Sequence, residues 1–270
     1  MRRRSQRDWC RQFAQYGPQK IARYGETPST ARPAQRRPFW IVAAAILAFV
    51  VAPLAVTAQI DDDVGLWLMF LGQGSAAPVD ARLGKVRWWF DGQARFLDES
   101  NGFAQSLIRP GIGYALTDHV TAWAGYAWIR STPGAGRNSH EHRAWQQITW
   151  STRLDSLAIG SRTRLEQRLV DTGDDAGWRL RQFVKLTHPL PLHPRLGLAG
   201  YDEVFFDLND TDWGADTGFA QNRLFAGFTW RLDDAGKVVA ECGYLNQFIR
   251  NPTRADPMNH ILSLHLVLSY

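Results

Sequence analysis

The chain has 270 residues, a formal charge of +5, and 12 Trp, 7 Tyr and 14 Phe. Two cysteines, Cys10 and Cys242, give no disulfide framework and no metal-ligand spacing. The basic total is misleading, because residues 1–58 hold ten Lys or Arg against Asp8 and Glu26: that stretch is +8 and the remaining 212 residues are −3. Global charge is therefore no argument for a nucleic-acid partner.

The N-terminal stretch reads as a leader. Arg36 and Arg37 precede an uncharged apolar run over 38–56, and Val56-Thr57-Ala58 follows, with Gln59 and three aspartates behind it. Positive flank, apolar centre and small-residue exit form a secretory signal, with cleavage expected between Ala58 and Gln59. The run is also long enough for a retained membrane anchor. The 35 residues before it exceed an ordinary n-region, as they would if the true start lay nearer Arg36. The division is thus 1–58 leader and 59–270 body.

The body has no long apolar helix pattern. Period-2 alternation dominates. Residues 104–116 set Ile108, Ile112 and Tyr114 against Arg109, Gly111 and Gly113. Residues 156–170 carry Arg162, Arg164, Glu166 and Arg168 on one face. Residues 177–187 set Trp178, Leu180, Val184 and Leu186 against Arg179, Arg181 and Lys185. Residues 220–231 and 236–248 repeat the pattern around Arg223 and Glu241. The chain ends on Leu262, Leu264, Leu266, Leu268 and Tyr270, all of one parity. An apolar strand closed by a terminal aromatic resembles the segment that barrel-assembly machinery recognises.

Short turns at 116–119, 153–156 and 233–236 alternate with loops at 130–141, 171–177, 207–219 and 249–259. That sidedness suits an outer-membrane barrel and puts the C-terminus on the periplasmic, short-turn side. His188, His193 and the prolines 189, 191 and 194 read as a stiff turn on that side. The expected fold is all-β: a closed antiparallel transmembrane β-barrel of about 10–12 strands. Ten strands follow from Arg87 onward and Val64–Phe70 adds another. An even total, ten or twelve, is expected.

Several segments together resemble one bacterial family: 142–147 (HRAWQQ), 162–168 (RTRLEQR), 178–181 (WRLR), 201–206 (YDEVFF), 221–227 (QNRLFAG) and 243–247 (GYLNQ). They resemble the domain of unknown function 2490 family from about Val64 to Tyr270. The resemblance implies an exported outer-membrane barrel of a Gram-negative bacterium and brings no catalytic residues.

Charge facing lipid costs about 2–4 kcal/mol for Arg or Lys at mid-membrane, so the charged faces are expected inside. The lumen candidates are Arg95, Arg109, Arg143, Arg162, Arg164, Glu166, Arg168, Arg179, Arg181, Glu203, Arg223 and Glu241. They could pair with one another and stiffen the wall. They could instead line a small anion pore, since the guanidinium fork suits carboxylate and phosphate. The expected role is structural or small-solute transport, with no enzyme, no metal and no cofactor. Outer-membrane lipids and the barrel-assembly machinery are the expected partners. One alternative is a lipid-modifying enzyme with a rim site at Ser139, His140 and His142. Another is a soluble periplasmic β-sandwich. Asp171, Asp174 and Asp175, with Asp207, Asp210 and Asp212, read as turn residues, or as calcium ligands.

Overall fold

The computed structural model describes residues 60–270 except 101, 133, 135–137 and 252–254. The expected leader, residues 1–58, and the expected Ala58/Gln59 cleavage junction lie outside the described residues. Eleven strands follow in order: β1 (Ile60–Ser75), β2 (Val86–Leu97), β3 (Gly102–Ala115), β4 (Val120–Ser131), β5 (Ser139–Leu154), β6 (Leu157–Val170), β7 (Ala176–Pro189), β8 (Leu196–Asp207), β9 (Gly218–Arg231), β10 (Val238–Ile249) and β11 (Asp256–Ser269). They form a closed barrel in which each strand pairs with its sequence neighbours.

The closure corrects the expectation of an even count. β1 pairs with β11 in parallel, Leu66 opposite Leu262 and Phe70 opposite Leu266. The other ten pairings are antiparallel. A parallel ladder satisfies edge N–H and C=O groups almost as well as an antiparallel one, so two edges running the same way can still close. Ile60 consequently stands at the opposite end of the barrel from Tyr270. The end carrying Tyr270, called here the turn end, also has connections 116–119 and 155–156. It also carries the long connection 76–85, so the two ends differ less in loop length than expected. At that end Tyr270 N–H donates to Gln73 O (2.9 Å) and Tyr270 O accepts from Ser75 N–H (2.8 Å).

Alternation sorts the two faces. Leu68, Phe70, Phe90, Ile108, Ile112, Ile148, Phe228, Leu262, Leu264 and Leu266 are exposed on the outside. An apolar outer belt of this kind is characteristic of transmembrane barrels. Tyr270 is exposed and Leu268 half-buried on the same outer face. Inside, two apolar clusters fill much of the lumen. One joins Trp89, Leu107, Trp123, Ile129 and Trp145. The other joins Trp67, Phe225, Leu245 and Ile261, with Tyr201 packed against it.

Glycines make room for these rings. A Cβ at Gly125 would strike the Trp145 ring and the Pro110 carbonyl, and one at Gly111 would strike the same ring. The alternation of Gly with large residues on the inner face thus reflects packing between facing strands.

Candidate functional site

The site is the lumen. All twelve inner candidates point into it; nine share one ion-pair network, Arg109 and Arg95 are linked through Asp91 and Gln93, and Glu241 stands apart with Lys185 and His265. Glu166, with no exposed surface, accepts from Arg181 Nη1 at 2.7 Å and Arg143 Nη1 at 3.0 Å. Arg164 Nη1 stands 3.6 Å away. Glu203 accepts from Arg162 (2.7 Å) and Arg181 (2.8 Å), with Arg223 at 3.9 Å. Glu241 pairs with Lys185 and lies 3.5 Å from His265 Nδ1.

Sequence reasoning missed four partners of these groups. Asp91 holds Arg109 at 3.2 Å and accepts from Trp89 Nε1 at 2.8 Å. Glu141 binds Arg143 and Arg168 at 2.7 and 2.5 Å. Asp207, placed in a loop by sequence, is the inward end of β8 and takes Arg179 at 2.6 Å. Gln147 accepts twice from Arg164, at 2.8 and 2.6 Å. Parity was the available signal: Asp91 shares a face with Arg95, and Glu141 with Arg143.

Aromatic faces also pack on several of the guanidinium groups. Arg95 and Arg223 lie over the Trp67 ring at 4.1 and 4.9 Å. Arg164 lies over Trp145 at 4.6 Å and Arg181 over Phe205 at 4.5 Å. Buried charge that is paired and stacked in this way is held in fixed geometry.

The network divides the lumen into two cavities that share Arg109, Arg181 and Arg223 as lining. The turn-end cavity, about 610 Å³, is lined by Trp67, Trp89, Trp123, Phe183 and Tyr201 among others. The loop-end cavity, about 470 Å³, is rich in arginine. Its lining includes Arg95, Arg109, Arg143, Arg168, Arg179, Arg181, Arg223 and Arg250 against Glu141, Asp207 and Asp216. Three further acids that do not line it, Asp91, Glu166 and Glu203, pair with Arg109, Arg143, Arg181 and Arg223. Among the described residues Arg95 has no carboxylate partner; its donors go to Gln93 Oε1 (2.5 and 3.2 Å) and Gln105 Oε1 (2.6 Å). Both volumes fall in the usual range for small-molecule sites.

The β8–β9 loop contributes Trp213, Gly214, Ala215 and Asp216 to the lining of this cavity. It is tied to the β6–β7 loop. The carboxylate of Asp212 accepts backbone N–H groups of Asp174 (2.8 Å) and Asp175 (3.2 Å), and Trp213 Nε1 donates to Asp175 O at 2.8 Å. Those backbone donors hold the Asp212 carboxyl below its ordinary range. Asp175 returns the contact by accepting from Asp212 N–H at 2.9 Å. Asp171 accepts from His140 N–H (2.9 Å), and Asp210 from Thr217. These carboxylates serve the turns, the role that Asp side chains favour.

Ser139 and His140 do not meet as a catalytic pair. Ser139 lines the loop-end cavity, while His140 turns outward and stacks on Trp128 at 5.8 Å. His142 is also outside, bonded to the Tyr126 hydroxyl. Adjacent strand residues face opposite ways, and that separates the pair. A different set does come together on β10 and β11. Ser263 Oγ is 2.7 Å from His265 Nε2, and His265 Nδ1 faces Glu241. The order is that of nucleophile, base and orienting acid. Ser263, however, has no exposed surface.

Residues 64–259 match the family described as "Protein of unknown function (DUF2490)". The chain belongs to that family. An uncharacterised protein of Methylorubrum extorquens is 34% identical over 190 residues, 70% of this chain and 82% of the relative. Among solved structures, LpxR from Salmonella typhimurium aligns over 64% of this chain and 81% of its own, at 8% identity and a TM-score of 0.37. Beside that neighbour the expectation that the chain is no enzyme is withdrawn; a likeness this distant assigns no activity either.

Proposed function

We propose that this DUF2490 member is an outer-membrane barrel whose loop-end cavity holds a small anion bearing carboxylate or phosphate groups. One observation carries the reading: Arg95 lines an arginine-rich cavity while bonded only to neutral amide oxygens, with no carboxylate partner among the described residues. Arginine forks match carboxylate and phosphate bidentately. The packed layer of Glu166, Arg164, Arg181 and the tryptophans makes the lumen a holding site rather than a steadily open pore. Outer-membrane lipids would surround the apolar belt, and barrel-assembly machinery would receive the Leu262–Tyr270 strand.

The test is calorimetric titration of the refolded barrel with inorganic phosphate and with citrate. Binding that weakens as salt rises and is lost in Arg95→Gln supports the reading. No heat at millimolar anion, or equal binding by Arg95→Gln, overturns it.

A second reading rests on the Ser263–His265–Glu241 order. His265, which lines the turn-end cavity, would take the Ser263 proton at Nε2 as Oγ bonds to an ester carbonyl carbon and would return it to the alcohol oxygen that leaves. Since Ser263 has no exposed surface, the wall beside it would have to open for the ester to reach it. A fluorophosphonate probe tests it: labelling abolished by Ser263→Ala supports an acyl-transfer enzyme, and no labelling of the native chain removes that reading.

A further inference from the structure

The outer face is not uniformly apolar. Around β1 to β4, β10 and β11 its middle is built from residues such as Leu68, Phe90, Ile108, Leu262 and Leu264. Across β5 to β9 the same belt carries Gln146, Thr163, Gln167, Gln182, Asp202 and Asn222. Each alternates with the inward residues of its strand, so each faces outward. Apolar residues bracket them on both sides along the strands: Leu169, Trp178 and Phe206 toward the loop end, Ile148 and Phe228 toward the turn end.

Hydrogen bonds link these side chains across neighbouring strands. Gln146 and Gln167 exchange amide bonds of 3.1 and 3.0 Å. Thr163 Oγ1 donates to Gln182 Oε1 at 2.6 Å. Asn222 Nδ2 donates to Asp202 Oδ1 at 2.5 Å. These bonds use only part of what the groups offer. An amide carries two N–H donors and two acceptor lone pairs, and the Gln146–Gln167 exchange takes one donor from each. Hydrocarbon can take up none of the remainder, and unpaired polar groups there are costly.

We propose that this stripe is an interface with a second copy of the chain, packed β5–β8 against β5–β8 about a two-fold axis. A two-fold interface requires a patch complementary to itself. Amide side chains meet that requirement because each donates and accepts, whereas a patch of one charge sign would repel its copy. Asp202 is already engaged by Asn222, and Gln182 Nε2 donates to Ser161 Oγ (3.0 Å) and Phe183 O (3.2 Å), so Gln146 and Gln167 are left to face the partner. Removing the stripe from lipid is the gain that drives association, as polar side chains do between transmembrane segments.

The inference rests on the barrel spanning a bilayer and is independent of the anion site. The experiment uses the barrel in lipid vesicles on a Cys242→Ser background. Gln167→Cys should give a disulfide-linked dimer on mild oxidation, and Ala94→Cys, on the opposite face, should not. The double variant Gln146→Leu, Gln167→Leu should raise the dimer dissociation constant about tenfold or more, with heat-modifiable migration and anion titration unchanged. A barrel that is monomeric at every protein-to-lipid ratio, cross-links equally from Ala94→Cys, or couples through Gln167→Cys to a different protein in cells overturns it.

Discussion

Replacing Glu166 by Gln keeps shape and one acceptor oxygen but removes the charge at the centre of the lumen. Two arginines bond to this carboxylate, at 2.7 and 3.0 Å, and a third stands at 3.6 Å. Glutamate and Arg164 have no exposed side-chain surface, and Arg143 and Arg181 expose 11% and 4%. Two limits bracket the outcome. If water fills the lumen, a unit charge pair at about 4 Å is worth only about 1 kcal/mol, and salt screens it. If the layer is dry and packed, breaking a buried pair costs about 3–5 kcal/mol, because the abandoned guanidinium groups stay buried. The packing of Trp145, Trp89 and Phe205 around these groups argues for the second. Glu166→Gln should therefore destabilise the barrel by about 3 kcal/mol or more, nearly unchanged between 0.1 and 1 M salt. Urea unfolding in vesicles, followed by tryptophan fluorescence, measures it. Asp234→Asn is the control, since its pair with Arg195 is 91% and 40% exposed and should change stability by less than about 1 kcal/mol. A loss for Glu166→Gln no larger than the control, or one that vanishes in high salt, would refute the packed layer.

Three further outcomes follow from the geometry. Gly125→Ala should cost about 1–3 kcal/mol, read in the same unfolding assay, because its Cβ would enter the Trp145 ring and the overpacked core must shift. Leu264→Arg should cost about 2–4 kcal/mol if the bilayer covers that face, seen as a lower folded fraction by heat-modifiable migration; an unaffected fraction would place Leu264 outside the belt. The loop clasp at Asp212 should persist in mild acid. Its folded-state carboxyl titrates below the ordinary value, so the clasp is fully formed above that value and fails only as pH falls through the lower one. Amide exchange at Asp174 and Asp175 should thus stay slow at pH 5 and quicken in Asp212→Asn at any pH.

Much of this architecture was legible from alternation alone. The Leu262–Tyr270 parity marks the outer face, and the exclusion of charge from lipid then sends Arg109, Arg164 and Arg181 inward. Alternation applied to Ser139 and His140 would also have separated them, since neighbours cannot share a face. Register was not legible. Nothing in Val64–Phe70 says that its partner is the final strand running the same way, and an even count follows only if every pairing is antiparallel. The polar stripe is hidden for the same reason. Gln146, Gln167, Gln182 and Asn222 look like scattered polar residues until pairing sets them side by side. The Asp212 clasp depends on two loops that meet only once β6 to β9 are placed.

The parallel ladder between β1 and β11 also has a kinetic consequence. It joins Ile60 to Asp256, whereas every other ladder joins strands adjacent in the chain. Drawing together ends separated by about 200 residues costs roughly 5 kcal/mol of chain entropy if it happens first, and far less once the ten antiparallel pairings of sequence-adjacent strands have curled the sheet. Closure should therefore be the last event in assembly. Until then two unsatisfied strand edges stand open on one sheet, each a template for another chain. The final ladder converts an aggregation-prone ribbon into a barrel with no free edge, and shortening either terminal strand should trap the ribbon rather than yield a smaller barrel.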